Sequence, residues 1–387
     1  MPKPEIYFIV TVDFSVKVFL INHLKKLSKF YKITVFVNTK DPHFLRKLGV
    51  KATVHPISIS RKISILKDLY FLLYLFFIFL IKRPNAVHSV TPKAGLLAML
   101  ASYLAFIPLR VHTFTGQVWV TSKGLKKRLL KFTDKLTARL ATELIIDSQS
   151  QEKFLIRNKI FDKKKSYVFG YGSICGVDLN KFRLNKKNFD IMRNQLSIPR
   201  KSFIILFLGR INFDKGILDL VKAFNKINSN KLYLVIVGPD EDKLTNLIKK
   251  KCIKKIDKIR IIKFTSQPNL YLSMSDILCL PSYREGFGNV IIEAAAMGIP
   301  SVASNIYGIR DAIIDKKSGL LHKKRDIKSI IKCINFFFKN KKNTQKYSLF
   351  AMKRARMNFN QNIITKHWIE FYNNKIYKKL KINTNTL

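Results

Sequence analysis

The sequence predicts an α/β protein built from two doubly wound domains. Short apolar runs alternate with amphipathic stretches along the whole chain, as βαβ units with parallel sheets require. The 387 residues exceed what one ordinary core holds and suit two domains of ordinary size. Sheets of this kind bind ligands outside the carboxyl ends of their strands, so two facing sheets place a site in the cleft between them.

The alternation divides into two halves. Candidate strands in the first half are IYFIVTV, ITVFVN, AVHSV, LRVHTF and LIIDS, with helices over 19–29 and 93–105. Those in the second half are SFIILFLG, KLYLVIVG, IRIIKF, DILCLPS and PSVAS, with helices over 218–227, 242–251, 290–297 and 326–339. Glycine and charge cluster over 170–178 and in the RLNKKN run that follows, which is typical of a boundary. We therefore expect a first domain over 1–178 and a second over 179–365.

The formal net charge of +48 suggests a phosphate-rich partner, either nucleic acid or an anionic bilayer. Lys far outnumbers Arg, and Ile, Asn and Phe are abundant, a composition that an AT-rich coding sequence supplies without selection for binding. The cations are spread along the chain without a helix-turn-helix, zinc or RNP-type signature, so no specific nucleic acid is expected. A basic nucleic-acid-binding protein and a non-catalytic membrane scaffold remain the alternative functions.

Cysteine use and the first apolar run both favour a cytoplasmic protein. The four cysteines lie far apart, with no CxxC pair and no His partner at zinc-finger spacing, so reduced thiols are expected: Cys175, Cys252, Cys279 and Cys333. The run over 6–12 is too short for the core of a signal peptide and ends at Asp13. It therefore predicts a first strand and no export signal.

The longest apolar run is LYFLLYLFFIFLI over 69–81, between the cations Lys67 and Lys82. As a helix it extends roughly 20 Å, short of the roughly 30 Å hydrocarbon core of a bilayer. A spanning helix is therefore not expected. Two alternatives remain open, a helix packed on a sheet and a helix whose exposed apolar face lies in a membrane interface.

A first candidate motif follows the strand over 203–208. It consists of Gly209-Arg210, then Asp214-Lys215-Gly216, then the amphipathic run ILDLVKAF. Glycine lets the backbone approach a phosphate closely, Arg grips phosphate oxygens in pairs, and Lys adds a point charge. These residues predict a diphosphate clamp, although any βα turn of a basic chain can hold a glycine and cations.

A second motif follows the strand DILCLPS and reads YREGFGN before the helix VIIEAAAMG. The backbone N–H groups from Phe287 to Val290 lie at a helix N-terminus, which favours an anion. Glu285 in the loop and Glu293 in the helix can accept hydrogen bonds from hydroxyls at different parts of an elongated ligand. In the alternative, Glu285 caps the helix and Glu293 makes a surface ion pair. A glycosidase could also use two carboxylates, but it has no need of a diphosphate clamp.

Together the two motifs resemble the donor site of glycosyltransferase family 4, whose E-x7-E motif Glu285 and Glu293 match. In the first half, VHTFTGQVW, LIIDSQSQ and GSICGVDLNKF resemble the bacterial members that extend polyprenyl-diphosphate-linked saccharides for capsule, O-antigen or protein glycosylation, including the N-acetylgalactosaminyl transferases that act on diphosphate-linked bacillosamine. The likeness covers essentially the whole chain. It implies the GT-B architecture, two Rossmann-like domains facing across a cleft, with a C-terminal helix over 366–387 that returns to the first domain. Nucleotide-sugar epimerases share this fold but lack the EGFG pattern.

The resemblance implies a retaining glycosyltransferase. Its donor would be a nucleotide diphosphate sugar, with UDP-N-acetylhexosamine as the leading guess, and its acceptor a lipid-linked saccharide in surface polysaccharide or glycan biosynthesis. No cofactor is expected besides the donor substrate, and no metal, since no DxD motif precedes a strand of the cleft. A polyprenyl-diphosphate-linked acceptor and a basic surface imply peripheral association with the anionic cytoplasmic face of the inner membrane.

The family's roles carry over to matching positions of this sequence. Beside Gly209, Arg210 and Lys215 would hold the donor diphosphate, and Glu293 the donor ribose. Glu285 would hold the transferred sugar and its phosphate, together with backbone from the following segment: Gly286, Phe287, Gly288, Asn289 and Val290. His112 would reach the donor sugar from the first domain. The candidate catalytic residues are therefore Glu285, His112, Arg210 and Lys215.

Two regions leave finer questions open. Selection of the base and sugar would depend on pocket positions around Phe264, Thr265 and Asn289. The sequence also departs from the family after the first strand, where many members have a glycine-rich loop and this chain reads VDFSV over 12–16 without glycine. Ser15 is therefore only a weak candidate for contacts there.

Overall fold

The computed structural model describes residues 2–59 and 64–380. They form two compact units: Met1–Cys175 with Gln361–Leu387, and Gly176–Asn360. The expected boundaries were 178/179 and 365/366, so both changes of unit come three to five residues earlier in the chain than the sequence suggested. Each unit is a parallel β-sheet with helices, as the predicted fold class requires.

The sheet of the first unit has seven parallel strands in the order β3-β2-β1-β4-β5-β6-β7. The strands are β1 Glu5–Val12, β2 Lys32–Asn38, β3 Thr53–Pro56, β4 Ala86–Val90, β5 Leu109–Phe114, β6 Glu143–Ile146 and β7 Ser166–Tyr167. The central strands are buried along almost their whole length, as expected for a parallel sheet with covered faces. Strands β3 and β7 were not predicted, because TVHP and SY are too short and too polar to give an apolar run.

Seven helices of this unit connect the strands. They are α1 Asp13–Phe19, α2 Ile21–Leu27, α3 Phe44–Lys47, α4 Ile65–Lys82, α5 Pro92–Leu104, α6 Gly124–Leu140 and α7 Gln149–Arg157. The helix predicted over 19–29 is wrong in its bounds, because the chain forms two shorter helices that meet at Leu20. The loop predicted over 12–16 is also absent, since α1 starts directly after β1, and Ser15 is buried in it.

The sheet of the second unit has six parallel strands in the order β10-β9-β8-β11-β12-β13. The strands are β8 Phe203–Leu208, β9 Leu232–Val237, β10 Ile259–Ile262, β11 Ile277–Leu280, β12 Ser301–Ser304 and β13 Gly319–His322. Eight helices surround them: α8 Lys186–Gln195, α9 Ile217–Lys226, α10 Thr245–Lys251, α11 Pro268–Ser273, α12 Asn289–Ala296, α13 Ile309–Ala312, α14 Ile327–Lys339 and α15 Lys341–Asn358. Five of these strands were predicted; β13 was not, since GLLH begins with glycine and ends in a histidine.

The last helix, α16 Gln361–Leu380, belongs to the first unit although it follows the second in sequence. Trp368 is fully buried between two stacked imidazoles, with ring centroids 4.7 Å from His23 and 5.1 Å from His88. Its indole N–H donates to the Ile174 carbonyl at 3.1 Å, and the Tyr372 hydroxyl lies 2.6 Å from His88 Nδ1. Burial lowers the pKa of His23 to about 4, so this aromatic contact holds a neutral imidazole at physiological pH.

Helix α4 contains the apolar run over 69–81 and packs on the unit as the first alternative predicted, while the membrane-interface alternative stays a prediction. Phe71, Leu75 and Phe79 are buried against the unit, whereas the opposite face is exposed. Among the described residues no helix is both long enough and apolar enough to cross a membrane. None of the four cysteines, all of which lie within the described residues, forms a disulfide, as predicted.

Candidate functional site

The two sequence motifs meet in the second unit because their strands are neighbours. Strand β8 pairs with β11, and this is where the strand order of the sheet reverses. The loops 209–216 and 281–288 leave the carboxyl ends of these two strands, the position where doubly wound sheets bind ligands. The Tyr283 N–H donates to the Asp214 carbonyl at 2.7 Å, and Arg284 Nε donates to the Asp214 carboxylate at 2.7 Å.

Glycine makes the close approach of these loops possible. A Cβ on Gly216, whose φ is +64°, would lie 2.1 Å from the Pro281 carbonyl oxygen, so any other residue would separate the loops. Gly209 is different, because its φ of +156° leaves no atom within 4 Å of the place where a Cβ would stand. The space beside its Cα is therefore open to an approaching group.

Lys215 and Glu285, one from each motif, form an ion pair. Lys215 Nζ lies 2.5 Å from Glu285 Oε1, and both side chains are largely buried. The Ser282 hydroxyl donates to the same oxygen at 2.9 Å, and the Lys215 N–H is held by the Asn212 side chain at 3.1 Å. The predicted phosphate-binding lysine is thus fixed in place by the predicted sugar-binding carboxylate.

Arg210 is paired with a carboxylate that the sequence did not single out. Its Nη1 lies 2.8 Å from Glu241 Oε2, and Asn212 Nδ2 donates to the same oxygen at 3.1 Å. Glu241 follows β9, the other neighbour of β8, so only the strand order brings it to Arg210. About a third of each side chain is exposed, so an incoming anion can compete with Glu241 for the guanidinium.

Helix α12 carries the second half of the EGFGN motif. Gly288, with a φ of +88°, stands at its N-cap, and no side chain caps the helix. Glu285 is instead bonded to Lys215 and Ser282, so the alternative in which it caps the helix is wrong. Phe287 is buried, and its ring packs edge-on against Phe359 with the ring centroids 5.4 Å apart. This contact anchors the loop to the core of the second unit.

Glu293 lies four residues into α12 and is half-buried. No hydrogen bond or ion pair to its carboxylate is found within residues 2–59 and 64–380, which contradicts the alternative of a surface ion pair. Desolvation raises its pKa from 4.5 to about 7, and the charge of Lys181 offsets this only in part. A carboxylate left without donors in such a place is a hydrogen-bond acceptor that a ligand can satisfy.

His112 belongs to the first unit and lies within β5. The ring is buried, and Nδ1 lies 2.8 Å from the Ser89 hydroxyl. A Cβ on Gly95 would come within 2.4 Å of the imidazole, so the glycine of α5 makes room for it. Desolvation lowers the pKa of His112 to about 3, so the ring is neutral at pH 7. Together with Pro92, Thr115 and Gln117 it lines a small cavity at the carboxyl end of β5.

Residues 188–354, inside the second unit, match the family described as Glycosyl transferases group 1. The second unit therefore contains a glycosyl transferases group 1 domain, and the protein is a glycosyltransferase.

Sequence matches to known proteins extend over almost the whole chain of this glycosyltransferase. It is 28% identical over 380 residues to the capsular polysaccharide biosynthesis glycosyltransferase CapM of Staphylococcus aureus, a match that covers 96% of this chain and 98% of that protein. It is 24% identical to the N,N'-diacetylbacillosaminyl-diphospho-undecaprenol alpha-1,3-N-acetylgalactosaminyltransferase of Campylobacter jejuni, over 91% of this chain and 94% of that protein. The family resemblance and the transferase activity predicted from the sequence are confirmed by these matches.

The fold of the glycosyltransferase also matches solved structures. The crystal structure of Anabaena Alr3699/HepE in complex with UDP and glucose superimposes with a TM-score of 0.80, covering 96% of this chain and 100% of that chain at 17% identity. The prediction of two Rossmann-like parallel sheets is therefore confirmed.

Several residues that hold the site in the enzyme were missed. Tyr283 donates its hydroxyl to Asp219 at 2.7 Å and stacks under the Arg325 guanidinium at 4.6 Å. Asp214 ties the two loops together through Arg284. Asp214 and Arg284 belong to the two sequence motifs, so an ion pair between them could be predicted. Nothing in the sequence connects Tyr283 with Arg325.

The raised pKa of Glu293 gives a testable stability effect. Above pH 7 the carboxylate is charged without a partner and opposes folding. Well below pH 4.5 it is protonated in both the folded and unfolded states, so the cost develops between pH 4.5 and about 7. One pKa unit corresponds to about 1.4 kcal/mol, so the shift from 4.5 to about 7 amounts to roughly 3 kcal/mol. We expect Glu293→Gln to gain up to that free energy of unfolding at pH 8 relative to pH 5, measured by urea unfolding at both values.

The matched control is Glu285→Gln, which removes one partner of a largely buried ion pair and should destabilise the enzyme at pH 8. A difference between Glu293→Gln and the unmodified protein that is the same at both pH values would show that Glu293 has an unshifted pKa.

Proposed function

We propose that the enzyme transfers a sugar from a nucleotide diphosphate donor, with UDP-N-acetylhexosamine as the leading candidate, to a polyprenyl-diphosphate-linked saccharide. The named activities of the relatives support this assignment. The Campylobacter jejuni protein is named as an N-acetylgalactosaminyltransferase acting on a diphospho-undecaprenol-linked sugar, and the Staphylococcus aureus protein as an enzyme of capsular polysaccharide biosynthesis. The product would enter a surface polysaccharide or a related glycan.

The observation that carries the proposal is that two cations and a desolvated carboxylate follow neighbouring strands at one edge of the second sheet. Arg210 and Lys215 follow β8, and Glu293 lies one turn inside α12, which follows the neighbouring strand β11. Four residues of helix span about 6 Å, roughly the separation between a phosphate at the helix N-terminus and the ribose next to it. A diphosphate bound by the cations and α12 would therefore bring ribose hydroxyls to Glu293.

Binding of the donor would proceed by exchange of partners. Lys215 and Arg210 are paired with Glu285 and Glu241, so a diphosphate competes with two carboxylates that already occupy the cations. Once Lys215 turns to phosphate, Glu285 loses its cation and becomes an acceptor for hydroxyls of the transferred sugar. The cations are held ready by their carboxylates and need no large rearrangement to meet the ligand.

The chemical step would rely on fixed electrostatics. As the C1–O bond to the diphosphate loosens, negative charge grows on the leaving group and positive charge on the sugar. Arg210, Lys215 and the N–H groups at the start of α12 would stabilise the first charge, and preorganised groups of this kind commonly supply the largest catalytic effect. His112 of the first unit is neutral at pH 7, so any part it takes would be through a hydrogen bond and not through a charge.

The nucleobase would lie beyond the end of β10. Phe264 and Thr265 follow that strand, and together with Gln267 and Tyr271 they line an open depression. The side chain of Phe264 is 58% exposed and offers an aromatic face for a base. Selection between uracil and other bases would be made here.

Nucleotide binding tests the donor site directly. A ligand that binds only the folded state raises its stability by mass action, about 2.7 kcal/mol at a concentration about 100 times Kd. We expect UDP to raise the thermal midpoint and GDP and ADP to leave it unchanged. Arg210→Ala should abolish the shift, whereas Arg200→Ala, an exposed arginine before β8, should retain it. If no nucleotide shifts the midpoint, the proposed donor site is refuted.

Metal independence is the second proposal that can be tested. An Asp-Glu-Asp run, 240–242, follows β9, but its carboxylates are engaged: Asp240 binds the first N–H groups of α10, Glu241 binds Arg210, and Asp242 accepts from the Phe213 N–H. We expect UDP release, assayed with extracted lipid-linked saccharides, to proceed at the same rate with excess EDTA as with Mg²⁺. A loss of rate with EDTA that Mg²⁺ or Mn²⁺ restores would contradict this.

Retention of the anomeric configuration is the third proposal that can be tested. Glu285 forms an ion pair with Lys215, so it is poised to bind hydroxyls and not to act as a free nucleophile. We therefore expect the incoming hydroxyl to attack on the face from which the diphosphate departs. The H1 coupling constant of the new linkage in proton NMR should show the donor's own configuration, and an inverted linkage would rule the proposal out.

An acceptor of this class would be embedded in a membrane. The formal net charge of +48 would attract the enzyme to acidic lipid headgroups, and we place it at the cytoplasmic face of the inner membrane as a peripheral protein.

A further inference from the structure

Three neighbouring helices of the first unit form one layer over its sheet. Helix α5 packs against α4 on one side and against α6 on the other, and the inner faces of all three contribute to one hydrophobic cluster. Because these inner faces are turned to the sheet, the outer faces of the three helices point to the same side. That side combines exposed apolar groups with cations.

Helix α4 contributes an apolar stripe. Seven of its eight exposed large residues recur at intervals of three and four, so they share one face of the helix: Leu66, Leu69, Tyr70, Leu73, Phe77, Leu80 and Ile81. At 1.5 Å per residue the stripe is about 22 Å long. The one acidic residue of the helix, Asp68, is neutralised by Lys93 at 2.6 Å, and Lys67, Lys82 and Arg83 stand exposed near the two ends.

Helix α6 is a basic amphipathic helix that the sequence reading passed over. Leu125, Leu129 and Phe132 are 81%, 55% and 60% exposed and lie on one face. The exposed positions around them are cations: Lys123, Lys126, Lys127, Arg128, Lys135 and Arg139. The only acidic residue of the helix, Asp134, is buried and accepts from the Trp119 indole at 2.8 Å, so no negative charge offsets these cations on the outer face.

The segment just after α5, which lies between these two helices, contributes an exposed aromatic residue. Phe106 is 88% exposed, and its φ of +55° is the left-handed conformation in which glycine usually ends a helix. An exposed aromatic ring at a position that favours glycine adds nothing to the folding of the unit. Tyr103 and Leu104 beside it are also about half exposed.

We propose that the outer face of α4, α5 and α6 docks on an anionic bilayer, with the apolar groups of α4 and Phe106 in the interface and the cations of α6 on the headgroups. The charge pattern selects this partner. Apolar side chains ringed by cations without exposed acids fit a surface that offers hydrocarbon beneath a sheet of negative charge. Nucleic acid would leave the α4 stripe in water, and a second copy of this chain would set cation against cation.

The biological role of this docking face rests on the proposed lipid-linked acceptor, but the test of membrane binding uses no substrate. Purified enzyme is sedimented with vesicles of phosphatidylcholine alone and with vesicles containing an equal part of phosphatidylglycerol. We expect binding to the anionic vesicles and little to the neutral ones, with partial release in high salt.

Charge reversal separates this face from the general basicity of the protein. The triple variant K126E/K127E/R128E should weaken binding to anionic vesicles by at least about tenfold. The control K249E/K250E/K251E reverses three exposed lysines in the last turn of α10, changes the net charge by the same amount, and should bind like the unmodified protein. Equal losses in both variants would overturn the proposal.

Phe106→Gly tests the apolar contact without a folding penalty. Because glycine suits the left-handed conformation, the variant should keep or raise the thermal midpoint while losing vesicle affinity. Unchanged vesicle binding would remove Phe106 from the docking face, and a concentration-dependent dimer dissolved by the same substitutions, with no vesicle binding, would replace the bilayer with a second copy.

The UDP-induced thermal shift, measured on the same α6 variant, keeps the two proposals apart. A variant that loses vesicle binding but retains the shift supports the docking face, and a protein that binds vesicles but shows no shift refutes only the donor site.

Discussion

The pairing of β8 with β11 is the constraint on which the candidate site depends. Their residues are more than 70 positions apart in sequence, yet as neighbours in a parallel sheet their carboxyl ends must meet at one edge. The loops that leave them are then close enough for Lys215 to pair with Glu285 and for Asp214 to bind Arg284. Gly216 makes the approach sterically possible, because its missing Cβ leaves room for the Pro281 carbonyl.

Charge in this site is arranged in two different ways. Lys215 and Arg210 are already paired with carboxylates, so their positions are fixed before any ligand arrives and their desolvation is partly compensated. Glu293 has no such partner, and burial raises its pKa to about 7. A desolvated carboxylate opposes folding when it is charged, and stability lost at a position where a ligand can bind is characteristic of binding sites.

The sequence predicted most strands of both sheets because central parallel strands are buried on both faces and read as continuous apolar runs, as in FIILFL and LYLVIV. It missed β3, β7 and β13, which lie at or near sheet edges and carry polar or small residues. It also misjudged the start of α1, since an absent glycine suggested an altered loop where the chain in fact turns directly into a helix. In the site, it found the cations and both carboxylates but not Glu241, whose contact with Arg210 exists only because β9 is the other neighbour of β8.

The sequence by itself determined the class of fold, the two motifs and the family, because each of these depends on local periodicity or on residues a few positions apart. The tertiary structure decided which groups are paired, that Glu293 is left without a partner, that His112 is buried and neutral, and that α4, α5 and α6 present one outer face. Strand order and burial fix these properties. They arise from contacts between residues distant in the chain, so no local pattern encodes them.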